Sequence, residues 1–459
     1  MSTALPVHSK PDADAGPAAE EPVASFGKHL LAAFPQDSSY RNLNHGSFGT
    51  FPLVIRDKLR EFQDMAESRP DPFIRYDIHT HLTESREAVA KLLNAPIDTV
   101  VLCSNATTGI NIVLRNLEWN SDCQDEILYF ETIYGACGKT IDYVVDCSYG
   151  RVSSCGIPIR YPCETADIVA SFHAAVAASK AAGKRPKMCV FDVVTSLPGV
   201  RFPFEALAAA CKEAGLLSLV DGAQGIGMVE IDLGALDPDF FISNCHKWLH
   251  VPRGCCVLYV PVRNQHMMVS TLPTSHGYES RSNVRHNPLP PSSKQPFVAN
   301  FSYVGTIDMS PFLCVKHSID WRQRVLGGEE RIRAYQRRLA ETGGQKAADI
   351  LGTFVLQNKA GELTDCAMVN VALPLWVGDK AGAPEGTAVL AEADAPAAVS
   401  WISNALMNEY KTFLPVFVHA QRVWARISAQ VYLDMEDFEF AGTALKKLCE
   451  RVANGEYKA

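Results

Sequence analysis

No apolar run in this chain approaches the roughly 20 residues that a membrane span requires; the longest are strand-length. The 14 cysteines contain no CxxC pair and no CxxC…HxxxH spacing, which argues against a zinc site. Scattered without period in a long chain, they read as free thiols of a reducing compartment. Positive charge is in deficit: the formal net charge is −8. That balance argues against a nucleic-acid surface and against a polybasic membrane anchor. No internal repeat is visible, and Gly222, Gly225 and Gly227 lack the spacing of a dinucleotide fingerprint. His79 and His81 have no third ligand nearby, so no metal is expected. Residues 1–24 lack both an apolar signal core and an Arg-rich amphipathic pattern. Their Ala, Pro, Glu and Asp predict a disordered tail, not a targeting peptide, and with it a cytoplasmic protein.

What is present suits a packed core. Of 459 residues, 47% are hydrophobic and 20% charged, enough for two or three domains. From about Tyr40, strand-like runs alternate with helix-like segments. Val100–Leu102, Ile127–Phe130, Met188–Val194, Leu216–Val220, Phe240–Ile242 and Gly254–Val260 read as strands, and Phe204–Ala214 as a helix. This rhythm predicts an α/β fold with a mostly parallel sheet and helices on both faces. In such sheets ligands gather beyond the carboxyl ends of the strands. A large domain is expected over 25–310. Beyond it, helical patterns at Phe312–Leu326 and Glu329–Glu341 open a smaller α+β domain over 311–459. Between Pro273 and Phe297, five prolines and two histidines break the rhythm and predict a long loop, expected as a lid.

Two of these runs end in residues with a joint chemical use. Leu216–Val220 leads into Asp221-Gly222-Ala223-Gln224, and Phe240–Ile242 into Ser243-Asn244-Cys245-His246-Lys247-Trp248. A lone lysine is most often a surface group, and a lone aspartate after a strand most often caps a turn. Together they match a cofactor that needs an amine for its aldehyde and an anion for its ring nitrogen. Pyridoxal 5′-phosphate is that cofactor. Gln224 can donate to its phenolic oxygen; His246, a further candidate cofactor contact, and Trp248 flank the lysine, and Ser243, four residues back, is positioned to reach a phosphate. Asn105-Ala106-Thr107-Thr108-Gly109 opens a helix after a strand; Ala106, Thr107 and Thr108 there are a candidate phosphate cradle, or a plain helix cap. Ser196 and Tyr134 follow two other strands. Tyr134 is expected to stack on the ring and to act with Lys247 in catalysis, unless it is only a rim aromatic.

These motifs, with Gly305-Thr306-x-Asp308, resemble the class V aminotransferase family of fold-type I pyridoxal-phosphate enzymes from about Tyr40 onward. The resemblance implies a homodimer with active sites at the subunit interface, Thr306 reaching the phosphate in the partner subunit. It also implies that Arg426, in Arg426-Ile427-Ser428-Ala429-Gln430, grips the substrate carboxylate; a structural ion pair is the alternative. The opening Leu43-Asn44-His45-Gly46-Ser47-Phe48-Gly49 is similar to a subgroup holding isopenicillin N epimerase-like proteins and the carbon–sulfur lyases of fungal ergothioneine synthesis. The latter resemblance implies β-elimination from a cysteine sulfoxide conjugate, hercynylcysteine sulfoxide, giving ergothioneine, pyruvate and ammonia. Asn44 and His45 are then expected to contact substrate. Phe48, Tyr278 and Tyr303 are candidates to line the pocket for its trimethylammonium group. Cys155 is a candidate thiol for the sulfenic acid product, or an ordinary thiol. An amino-acid epimerase or aminotransferase is the alternative, with a catalytically inert binding shell the non-enzyme one. A cysteine desulfurase would need a reactive cysteine on a mobile loop, which neither Cys314 nor Cys366 supplies.

Overall fold

The computed structural model describes residues 23–274, 277–278, 280, 282–286 and 294–458. Residues 1–22 of the expected tail, and residues 275, 276, 279, 281 and 287–293 of the expected lid, lie outside the described residues. Among the described residues, eleven strands form two sheets. The larger holds β1 (Val100–Cys103), β2 (Asp125–Phe130), β3 (Val152–Ile157), β4 (Arg185–Asp192), β5 (Leu217–Asp221), β6 (Phe240–Asn244) and β7 (Cys256–Tyr259). Their order is β1-β7-β6-β5-β4-β2-β3. All pairings are parallel except those of β7, which runs antiparallel to both neighbours. The smaller sheet has the order β10-β11-β8-β9, with β8 (Met368–Val377), β9 (Ala388–Leu390), β10 (Val416–His419) and β11 (Arg422–Ser428). Helices Glu329–Leu351 and Met435–Ala453 pack on it. The α/β class, the mostly parallel sheet and the smaller α+β part agree with the sequence.

The strands of the large sheet are near-continuous apolar runs because both faces are covered. Successive residues go to opposite clusters. Met188, Val190, Leu219, Phe240 and Ile242 join one; Cys189, Phe191, Val220 and Phe241 join the other. This parity decides which strand-end residues share a face. Helix Phe204–Ala214 forms where its periodicity places it and stops at Gly215, whose φ of 76° gives the left-handed cap.

One helix outruns its sequence signal. The Arg-rich helix continues past Glu341 to Leu351, through Gly343-Gly344. A Cβ at Gly343 would overlap the Phe438 ring, and one at Gly344 the Val369 methyls. The glycine pair here permits close packing and does not end the helix. All 14 cysteines are free. Among the described residues, no helix is long and apolar enough to cross a membrane.

Candidate active site

The carboxyl ends of β4, β5 and β6 deliver Asp192, Asp221 and Asn244 to one face. Asp192 pairs in register with Asp221, and Asp221 with Ile242, two residues before Asn244. All three line a cavity of 180 Å³ with Ser47, Asn105, Ala106, Thr107, Tyr134, Cys137, Ser196, Gln224, His246 and Lys247. Larger clefts of 470 and 410 Å³ lie elsewhere, over Arg201, Arg337 and their neighbours, and contain none of these groups.

Lys247 sits on a single helical turn, Cys245–Trp248. So short a helix leaves its carbonyls without internal partners, and side chains from distant segments take them up. His45 Nε2–H donates to the Lys247 carbonyl at 2.6 Å. Arg322 donates to the Trp248 carbonyl at 2.8 Å, and the Ser318 hydroxyl to that of Leu249 at 2.6 Å. Arg322 is itself fully buried and neutralised by Glu329. The Trp248 indole donates to Gln224 Oε1 at 2.6 Å. Gly49 lies against the turn with φ 63°, where a Cβ would overlap the His246 carbonyl. Gly49→Ala is therefore expected to destabilise the fold by about 1–3 kcal/mol through overpacking. A variant melting together with wild type would contradict this.

Among the described residues no ion pair holds the Lys247 amine. Burial lowers its pKa to about 8, against the pull of Asp221, and the Arg426 charge adds to the lowering. Asp221 is buried; its carboxylate accepts from Ala223 N–H at 2.9 Å and from the Cys137 thiol at 3.2 Å. Asp192 beside it has no such donor among the described residues. Its pKa is pushed well up by burial and then by Asp221. Gln224 Nε2 donates one N–H to the Gly46 carbonyl at 2.6 Å, which leaves its second for a ligand.

Helix Ala106–Asn116 points its N-terminus at the cavity. The Ala106 N–H is taken by Asn244 Oδ1 at 2.9 Å and the Thr108 N–H by Asn105 Oδ1 at 2.9 Å. The Thr108 hydroxyl bonds Ser104 and Asn105. Thr107, exposed, keeps both its N–H and its hydroxyl free among the described residues. His246 Nδ1–H donates to the Cys255 carbonyl at 2.9 Å, and burial lowers its pKa to about 4. Arg426 on β11 is 1% exposed. It donates to the Ser196 carbonyl at 2.7 Å, to Asn44 Oδ1 at 2.8 Å and to Ser47 Oγ at 3.0 Å. No carboxylate pairs with it among the described residues, and its Nε has no acceptor. Burial pulls its pKa to about 10.

Several expected positions fall elsewhere. Ser243 is corrected: parity turns it to the opposite face, where its hydroxyl donates to the Gly222 carbonyl and accepts from Ile226 N–H. Asn244 stands where Ser243 was expected. His45 is corrected from substrate contact to an internal group, 0% exposed. Asn44 is buried and reaches Arg426 instead of the cavity. Cys155 sits half-buried on β3, the sheet edge, outside the cavity; burial and Glu126 raise its pKa. Phe48 and Tyr278, 69% and 45% exposed, do not line the cavity either. Thr306 is exposed and bonds Tyr303 at 2.7 Å, away from the cavity. The residues that sequence reading missed are Asp192, Cys137, Asn244 and Ser47.

Residues 71–373 match the family described as aminotransferase class-V. The chain belongs to this family. It is 38% identical to the L-cysteine desulfhydrase-like protein lolT1 of Epichloe uncinata, covering 94% of this chain and 97% of that protein. It is 29% identical to hercynylcysteine sulfoxide lyase of Schizosaccharomyces pombe, covering 92% and 98%. In fold it resembles the cystine C-S lyase C-DES solved with its product cysteine persulfide. That comparison gives a TM-score of 0.68 at 18% identity over 91% and 99% of the two chains. The cofactor of the family is pyridoxal phosphate, and the residues present fit it. An unpaired amine, a strand-end carboxylate, an amide N–H and Thr107, whose N–H and hydroxyl are unpaired at a helix N-terminus among the described residues, border one cavity.

Proposed function

We propose that this enzyme cleaves the carbon–sulfur bond of a cysteine sulfoxide conjugate, hercynylcysteine sulfoxide, yielding ergothioneine, pyruvate and ammonia. The observation that carries the reading is the grouping of an amine without an ion pair (Lys247), a buried carboxylate (Asp221) and the partners of a carboxylate-free arginine (Ser47 and Ser196 of Arg426) around one cavity. Similarity to the sulfoxide lyase over 92% of the chain supports the substrate.

Bound pyridoxal phosphate supplies the electron sink for the α-carbon. The chain's residues do the rest. Lys247 would hold the aldehyde between turnovers and accept the α-proton; its lowered pKa enlarges the unprotonated fraction of the amine near neutral pH. Asp221 would hold the proton of the ring nitrogen, and Gln224 would donate its second N–H to the phenolic oxygen. Thr107 leads the phosphate site, with Ala106, Thr108, Asn244 and His246 shaping it. Tyr134, 51% exposed and lining the cavity, would stack on the ring. Arg426 grips the substrate carboxylate with its planar fork. The sulfur would depart as a sulfenic acid, which two equivalents of an external thiol reduce to the thiol with release of their disulfide and water; Cys155 lies outside the cavity, and the Cys137 thiol in it is held by Asp221. The working unit is a cytoplasmic homodimer, with the exposed Thr306 serving the partner's phosphate site.

Incubation with a cysteine sulfoxide conjugate should release pyruvate in step with substrate loss. An epimerase or aminotransferase would release none. The 38% identity to a desulfhydrase-like protein favours a second reading, in which unsubstituted cysteine is the substrate. Sulfide release from cysteine at a higher kcat/KM than pyruvate from the conjugate would select it.

The Lys247 pKa of about 8, down from 10.5, sets a pH dependence. Only the neutral amine attacks the aldehyde, so lowering the pKa enlarges the reactive fraction at neutral pH. For cofactor-free protein given pyridoxal phosphate, attachment should speed up about tenfold per pH unit below pH 8 and level off above it. A rate still climbing steeply beyond pH 9.5 would show an unperturbed lysine.

A further inference from the structure

The segment Asn42–Gly49 ties the turn of Lys247, which lines the cavity, to Arg426, which lies behind its lining residues Ser47 and Ser196. Asn44 Oδ1 and Ser47 Oγ accept from the same Arg426 nitrogen, at 2.8 and 3.0 Å. The residue after Asn44, His45, donates Nε2–H to the Lys247 carbonyl. Its tautomer is fixed by its partners: a carbonyl can only accept, so Nδ1 must accept, and the Tyr432 hydroxyl donates to it at 2.8 Å. Asn42 Nδ2 in turn donates to the Tyr432 oxygen at 3.1 Å. Burial lowers the His45 pKa to about 3, so the ring is neutral and this pattern holds at working pH. The segment is pinned on both sides. Ser428 N–H donates to the Leu43 carbonyl at 2.8 Å, two residues along β11 from Arg426. Gln224 donates to the Gly46 carbonyl, and Gly49 abuts the Lys247 turn.

One peptide unit, about 3.8 Å between Cα atoms, thus separates the residue that aims Arg426 from the residue that fixes Lys247. We propose that Asn44-His45 is a bracket that sets the spacing between carboxylate grip and amine, with His45 a positioning residue for Lys247. The inference rests on the roles proposed above for Lys247 and Arg426. An amino acid held at Arg426 by its carboxylate must present its α-carbon to the Lys247 amine, and the bracket fixes that gap. Misplacement by a fraction of the gap costs rate, not binding. The two halves should therefore separate kinetically.

The test uses the full chain, freed of cofactor and reloaded with pyridoxal phosphate, following attachment by visible absorbance and then kcat and KM on the sulfoxide conjugate. His45→Met keeps volume and removes the donor; attachment and kcat should fall by about tenfold or more, with KM little changed. His45→Gln places an amide N–H near the Nε2 position and should restore most of both. Asn44→Ala should raise KM and leave attachment unchanged. Should His45→Met not fold, Tyr432→Phe removes the donor that fixes the His45 tautomer, and attachment should slow. His45→Met folding and attaching at the wild-type rate would overturn the bracket. So would a His45→Gln variant as slow as His45→Met, or an unslowed Tyr432→Phe. Hydride reduction separates the two levels. A wild-type adduct that is not on Lys247 removes the proposed function, whereas an adduct on Lys247 formed equally fast in His45→Met removes only the bracket.

Discussion

Lys247→Ala should lose turnover by at least about 10³-fold, because one substitution removes both the covalent anchor and the group that moves the α-proton. Proton transfer by a placed side chain alone contributes about 10²–10⁴-fold. The fold should survive. The lysine makes no side-chain ion pair among the described residues, and its turn is held through backbone carbonyls by His45, Arg322 and Ser318. Removing a half-buried amine whose charged form is disfavoured relieves desolvation as well. The variant should therefore bind pyridoxal phosphate without a covalent link, melt close to wild type and fail to release pyruvate. Full turnover in a folded Lys247→Ala protein would remove the lysine from its role.

Arg426→Ala is expected to act on binding. Its guanidinium is buried with no carboxylate partner among the described residues and with Nε unsatisfied. Left alone, such a charge is costly, and a substrate carboxylate would satisfy it. Loss of that charge-assisted grip should cost about 2 kcal/mol or more, a KM increase of about 30-fold. Arg426→Lys should recover only part of this, since an ammonium cannot reproduce the two-point fork. A large fall in kcat with KM unchanged would point to a role in the chemical step instead.

The sequence showed the class of fold and two of its central groups for a simple reason. Strands buried on both faces are unbroken apolar runs, and a charged residue ending such a run stands out. Asp221 and Lys247 were legible on that ground. Asp192 was not, although it ends β4 beside Asp221, because Val193 and Val194 prolong the apolar run past the strand. The choice between Ser243 and Asn244 needed the register of β6 against β5, and a doubly buried strand shows no alternation to reveal it. Cys155 was placed near the site by its distance in sequence from Tyr134. The crossover order sends β3 instead to the sheet edge, beyond β2 and β4. The motif at Asn44 and His45 was legible as a motif, but not its direction. Contacts to Arg426 and Lys247 bridge 382 and 202 residues of chain, which no local pattern encodes.

The covalent role of one amine is the claim on which the rest depends. Protein saturated with pyridoxal phosphate, reduced with borohydride and digested, should carry the pyridoxyl mass on the peptide containing Lys247 and on no other. An unmodified Lys247 peptide, or the added mass on a different lysine, would contradict the account.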